Sequence, residues 1–137
     1  MTVIEFLELD AILFLHDAAM AAYGGDPGLR DGGLLESAML RAPNKLTYAE
    51  SGSSDLFTFA AAYAFGFVKN HAFNDGNKRT AWIVAVTFLS LNGIEIKVPK
   101  DDAIAAMIRL ATNSLSEEDF AAWLRTLGQP SRGYADL

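Results

Sequence analysis

Two apolar segments in the middle of the chain set what it can fold into. Residues 55–70, DLFTFAAAYAFGFVKN, and residues 81–91, AWIVAVTFLSL, carry alanines, aromatics and aliphatics on nearly every side. A helix that is apolar all round has no face to give to water, so other helices must wrap it. The second segment is far shorter than the roughly 20 apolar residues of a membrane span. Both are therefore expected to be central helices of a soluble bundle, the second running over about 77–91.

The flanking sequence supplies the wrapping. Ile12, Leu15, Ala19 and Tyr23 recur near helical spacing, and Gly24-Gly25 offers the permissive stop of a first helix. Asp31 is placed to cap a short second helix over GGLLESAMLRA, which Pro43 is expected to close. A Ser-rich connection, SGSS, leads to Asp55, whose carboxylate can cap the third helix, and Asn92-Gly93 ends the fourth. The alternating piece IEIKVP is too brief to force a sheet and reads as an extended connector. Asp101 or Asp102 begins a fifth helix with Ile104, Met107, Ile108 and Ala111 as its apolar face. Ser116 with Asp119 matches a capping box for the last helix, which ends near Leu127 and Gly128. The expected fold class is all-α: one compact domain over residues 1–128, followed by a loosely held tail, QPSRGYADL, at 129–137.

Composition narrows the partners. With 137 residues, 51% of them hydrophobic, the chain can bury one real core and is too short for two ordinary ones. A net charge of −6 repels phosphate backbones, so direct DNA binding is not expected, and contact with a nucleotide needs a local basic patch. The absence of cysteine removes disulfides, thiolate metal sites and thiol nucleophiles, and fits a reducing cytoplasm. Acidic residues lie before and within the first apolar run, the reverse of a secretory leader, and none is expected.

Between the two central helices the chain reads NHAFNDGNKRTAW, a polar turn whose ends are held by the best-packed part of the protein. Asp75-Gly76 offers a tight bend, and the helix that follows points its first free N–H groups back toward it, favouring an anion. Lys78 and Arg79 add two cations at the same mouth, where they oppose the helix dipole and so make better sense as ligands of a phosphate than as a solvated helix start. Asp75 could hold a magnesium ion beside a polyphosphate, since that ion needs only one or two carboxylates in addition to phosphate oxygens. His71 has the proton affinity of a general base near neutral pH. Base, metal carboxylate and anion-binding turn are the minimum equipment for moving a phosphoryl or nucleotidyl group to a hydroxyl. Phe73 reads as core, a buried anchor of the turn. His16 reads as a structural histidine, and Arg30, Asp31 and Glu36 are left outside the site, because capping and solvation account for the latter two. No P-loop string is present. A binding-only module would not need a base beside its anion turn.

HAFNDGNKR resembles the signature of the Fic/Doc superfamily, which sits on a compact all-helical fold between two central helices. Ala72 in place of proline, Lys78 in place of glycine and Trp82 in place of a second arginine together resemble the Doc, or death-on-curing, branch. The earlier stretch GGDPGLRDGGLLESAMLRAPN is similar to that branch as well, so the resemblance covers about His16 to Gly93. It implies ATP held with its γ-phosphate, rather than its α-phosphate, near His71. It also implies phosphoryl transfer to a threonine of elongation factor Tu and arrest of translation by the toxin of a type II toxin–antitoxin system. His71 would be the general base, Asp75 the magnesium carboxylate, Gly76 and Asn77 the anion-binding turn, and Lys78 and Arg79 the phosphate clamp. The alternative is Fic-type transfer of AMP by the same histidine. Some Fic proteins carry an inhibitory [ST]-x-x-x-E-[GN] helix, and no such string occurs in this sequence. Control is thus expected from a Phd-like antitoxin that folds as it binds.

Overall fold

In the computed structural model, residues 3–48 and 55–130 are described. The SGSS connection and the last seven residues of the tail lie outside them. Six helices follow in order: α1 (Leu9–Tyr23), α2 (Gly32–Tyr48), α3 (Leu56–Asn70), α4 (Asn77–Leu91), α5 (Lys100–Ala111) and α6 (Glu117–Leu127). Two short strands join them, β1 (Ile94–Ile96) after α4 and β2 (Gly128–Pro130) after α6. The expectation of an all-α single domain holds, with this small sheet as an addition.

Helix α3 is the axis. It packs against α2, α4, α5 and α6, while α1 lies on α4. Residues Ala60, Ala61, Ala62 and Ala64 are fully buried, and their small side chains let neighbouring helices close in. At Gly66 the helices approach closely: a Cβ there would stand 3.2 Å from the Cα of Ala38 in α2. Larger side chains fill the far side: Phe59 meets Phe88 edge-on and Tyr63 tilts against the same ring. The buried Tyr63 hydroxyl accepts a hydrogen bond from the Leu7 N–H at 3.0 Å. Burial pushes its pKa up to about 12.

The caps read from the sequence are in place. Asp31 Oδ1 accepts from the Leu34 N–H, Asp55 Oδ1 from the Thr58 N–H and Ser116 Oγ from the Asp119 N–H. Gly24, at φ 83°, ends α1, and its N–H donates to the Met20 carbonyl.

Four local expectations fail. Pro43 does not close α2, which continues to Tyr48. The residues on either side of it are pinned to α6, because Arg41 and Lys45 both reach the buried carboxylate of Glu117. The lost Pro43 donor is thus outweighed by contacts one turn apart. The piece IEIKVP is not merely a connector: Ile94, Glu95 and Ile96 pair antiparallel with Pro130, Gln129 and Gly128. Three residues cannot hold a sheet alone, but Ile94 and Ile96 pack on the core and the partner strand arrives directly from α6. For the same reason Gln129 and Pro130, placed in the tail, belong to β2. Helix α5 starts at Lys100 behind Pro99, with Asp101 and Asp102 in its first turn rather than at its cap. It buries Ala103, Ala106, Met107 and Leu110, whereas Ile104 and Ile108 remain 47% exposed.

Candidate active site

The polar turn between α3 and α4 is held at every backbone step. At its start His71 caps α3 in the left-handed conformation, φ 49° and ψ 51°. That geometry costs a non-glycine residue about 1–2 kcal/mol, so something must hold it. Arg30 does. Its Nε donates to the His71 carbonyl at 2.6 Å and its Nη2 to the Asn70 carbonyl at 3.0 Å. The N–H groups of Arg30 and Asp31 both donate to the Ala72 carbonyl, at 2.8 and 3.0 Å. Further along, Leu29 forms an antiparallel bridge with Phe73, and the Asn74 N–H donates to the Gly28 carbonyl at 2.9 Å. The loop before α2 therefore runs alongside the turn as a splint.

Phe73 is 2% exposed. Its ring stacks on His16 at a centroid distance of 3.7 Å, with the Phe67 ring near-parallel to it at 6.5 Å. The anchor reading of Phe73 is what the packing displays. His16, only 1% exposed on α1, donates from Nε2 to the Asp75 carbonyl at 2.9 Å. One histidine thus braces both the anchor and the backbone of the acidic residue. Asn77 closes the turn from inside: its Oδ1 accepts from the Phe73 N–H at 3.1 Å and its Nδ2 donates to the Phe73 carbonyl at 3.0 Å. Its side chain is thereby fixed against the turn, with its backbone N–H at the start of α4. Gly76 sits at φ 74°, and a Cβ there would run into the side chain of Met20.

The start of α4 is open. No side chain caps it, and the first backbone bond runs from the Thr80 N–H to the Gly76 carbonyl. The N–H groups of Asn77, Lys78 and Arg79 have no partner among the described residues. Lys78 is exposed. Arg79 lays its guanidinium over the Tyr23 ring, 4.3 Å from the centroid, with the Lys100 ammonium 5.8 Å from the same ring. Asp75 through Arg79 line one end of a groove of about 620 Å³ that continues between α4 and α5 over Trp82, Ile104 and Ile108. His71, with an exposed ring, stands at the opposite end of the turn and does not line that groove. The groove explains why Ile104 and Ile108 are left outside the core.

The sequence matches the model of the Fic/DOC family over residues 6–89. The chain belongs to the Fic/DOC family. Within it, the chain is 35% identical over 118 residues to "Protein kinase doc" of Escherichia phage P1, covering 86% of this chain and 91% of that one. It is 37% identical over 122 residues to "Toxin Doc" of Mycolicibacterium smegmatis (strain ATCC 700084 / mc(2)155), covering 88% and 91%. Both likenesses place it on the Doc branch of the Fic/DOC family, as Ala72, Lys78 and Trp82 led us to expect.

In this Fic/DOC chain, the residues of the turn suit a nucleotide and one divalent cation. The Asp75 carboxylate accepts from its own Gly76 N–H at 2.8 Å and, at 3.4 Å, from the Asp26 N–H, which leaves lone pairs free on both oxygens. Among the described residues no group of three acidic or histidine side chains could hold a metal alone. One carboxylate beside phosphate oxygens suits magnesium and does not suit a structural metal cage. The sequence reading missed Arg30 and the bracing role of His16. For His16 a signal existed: it falls on the buried face with Ile12, Ala19 and Met20, and a polar group there needs a partner.

Proposed function

We infer that this chain is a Doc-type toxin of a type II toxin–antitoxin system that transfers the γ-phosphoryl group of ATP to a threonine hydroxyl of elongation factor Tu, stopping translation in the cytoplasm. The observation that carries the chemistry is the uncapped start of α4, where three N–H groups with no partner among the described residues, Lys78 and Arg79 share one mouth with Asp75. In an acidic chain such a concentration of donors is a receptor for a polyphosphate. One of the two relatives is named a protein kinase and the other a toxin.

The residues divide the work. The N–H groups of Asn77 to Arg79 and the Lys78 ammonium bind and orient the phosphates, and donate to the charge that develops during transfer. Asp75 would hold magnesium, which when bound neutralises phosphate charge. His71 takes the proton of the incoming hydroxyl and, with an exposed ring, can reach an acceptor on another protein. Phe73, His16 and Asn77 keep the turn from moving while charge shifts across it. Lys78 fills space that a glycine would leave for close approach of the α-phosphate to the backbone, which favours γ-transfer over AMP transfer. A toxin of this kind is held inactive by a Phd-like antitoxin segment that folds as it binds.

The test is to incubate the purified chain and elongation factor Tu with magnesium and either γ-labelled or α-labelled ATP. Label from the γ position should appear on a threonine. Label from the α position alone would make the enzyme a nucleotidyl transferase, and label from neither would remove elongation factor Tu as acceptor.

A further inference from the structure

The general base of this reading sits on a conformation that its own side chain does not stabilise. Among the described residues only His71 and Asn113 combine a side chain with positive φ. Both types visit that region more often than other non-glycine residues, yet it still costs free energy, and at His71 the backbone carbonyls are held from outside the helix. At the C-terminus of α3 those carbonyls also carry the negative end of the helix dipole. Two of them, on Asn70 and His71, are bridged by one planar guanidinium from outside the helix.

Building on the assignment of His71 as base, we propose that Arg30 is a positioning residue for His71: its guanidinium locks the left-handed end of α3 and so sets the direction from which the imidazole meets the acceptor hydroxyl. The fork matters. Nε and Nη2 donate to successive carbonyls, and the planar group holds those two donors in a fixed relation to each other. A lysine presents three donors on one rotatable ammonium, which can reach the carbonyls without fixing their relation to each other. Arg30 does not line the groove that begins at the phosphate mouth, and two of its five N–H donors are committed to the backbone. The Arg30 and Asp31 N–H groups still hold Ala72 if the side chain is removed. Loss of the guanidinium should therefore free His71 without dismantling the splint.

The experiment compares Arg30→Ala and Arg30→Lys with the wild type. In Arg30→Ala, kcat for phosphoryl transfer should fall about 10- to 100-fold, the scale expected when a catalytic group is misplaced by an ångström or so. KM for ATP should stay within about twofold, since the phosphate mouth is untouched. Arg30→Lys should lie between the two, and millimolar guanidinium ion should restore part of the Arg30→Ala rate without restoring a His71→Ala variant. Unchanged kcat, or a loss confined to KM, would overturn the proposal. A second readout does not need activity: the carbonyl carbon resonances of Asn70 and His71 should shift in Arg30→Ala and shift less in Arg30→Lys. If they do not move, Arg30 does not hold His71. If they move as expected while the wild type transfers no phosphate, the error lies in the proposed reaction and not in the role of Arg30.

Discussion

The N-termini of the two central helices are built from the same kind of backbone and finished in opposite ways. At α3, Asp55 accepts from the Thr58 N–H and hydroxyl, and its carboxylate is gripped by Arg125, Nε to Oδ2 at 2.8 Å. At α4, Gly76 offers no side chain, the first N–H groups have no partner among the described residues, and beside the Asp75 carboxylate stand the cations Lys78 and Arg79, which the dipole disfavours. The first end is complete without a ligand. The second sets one carboxylate, Asp75, against two cations and leaves its first N–H groups without acceptors among the described residues, and a phosphate would supply the missing charge and acceptors. Stability should therefore depend on the α3 end and activity on the α4 end.

The largest effect tests whether chemistry belongs to the open end. His71→Ala should lower phosphoryl transfer by about 100- to 10,000-fold, with a melting temperature near that of the wild type because the ring is exposed. Cells should tolerate the variant at expression levels where the wild type arrests growth. Undiminished transfer by a folded His71→Ala protein would remove the base from the mechanism. Next, Lys78→Ala should cost about 100-fold in transfer, the loss typical of removing one donor to developing charge. A rate unchanged in Lys78→Ala would make the cation a solvated helix residue and erase the functional half of the comparison.

How much of this contrast was legible in the sequence depends on whether the signal was local. Asp55 preceding an apolar run, and Asp75-Gly76 preceding two cations, are each readable because a cap or a bend involves neighbours in the chain. The order of helices, the turn between the central pair and the anchor Phe73 followed from the same kind of evidence. What stayed hidden depended on contacts between distant segments. Arg30 looks like one more surface cation until α3 is brought against the loop before α2. Pro43 looks like a terminator until Glu117 arrives from α6. IEIKVP looks like a connector until Gly128–Pro130 lies beside it. Ile104 and Ile108 satisfy the helical period, yet they face the groove because α5 buries the face of Ala103, Ala106, Met107 and Leu110 instead.

The closed end predicts the third outcome. Asp55→Ala should destabilise by about 1 kcal/mol, the usual loss for an N-cap, lowering the melting temperature by roughly 3–6 °C and leaving the transfer rate per folded molecule unchanged. Its pH dependence has a definite sign. Burial would raise the Asp55 pKa, but hydrogen bonds from Arg125 and Thr58 overcome it and hold the carboxyl below its ordinary 3.8. A depressed folded-state pKa means that the contribution is complete above the unfolded value and is lost as pH falls through the lower, folded one. The difference in melting temperature between wild type and Asp55→Ala should accordingly be constant from neutral pH down to about pH 5 and shrink below about pH 4. A difference that stays the same at low pH would mean that the carboxylate is not what caps α3.

The smallest effect separates the two cations of the open end. Removing Lys78 relieves an unfavourable charge at the dipole, which should leave stability unchanged or improve it by roughly 0.3–1 kcal/mol. Arg79 faces the same dipole but also lies over the Tyr23 ring, an interaction worth about 0.5–1 kcal/mol at an exposed site. The two contributions oppose each other and are of equal size, so Arg79→Ala should shift the melting temperature by little in either direction. Replacing Tyr23 first isolates the terms: in a Tyr23→Leu background the aromatic face is gone, and Arg79→Ala should then stabilise as Lys78→Ala does. Thermal denaturation of the single and double variants reads the coupling directly. If Arg79→Ala destabilises equally with and without Tyr23, the guanidinium has a structural partner elsewhere. Arg79 would then belong with the closed kind of helix end, and the clamp would rest on Lys78 and the free N–H groups alone.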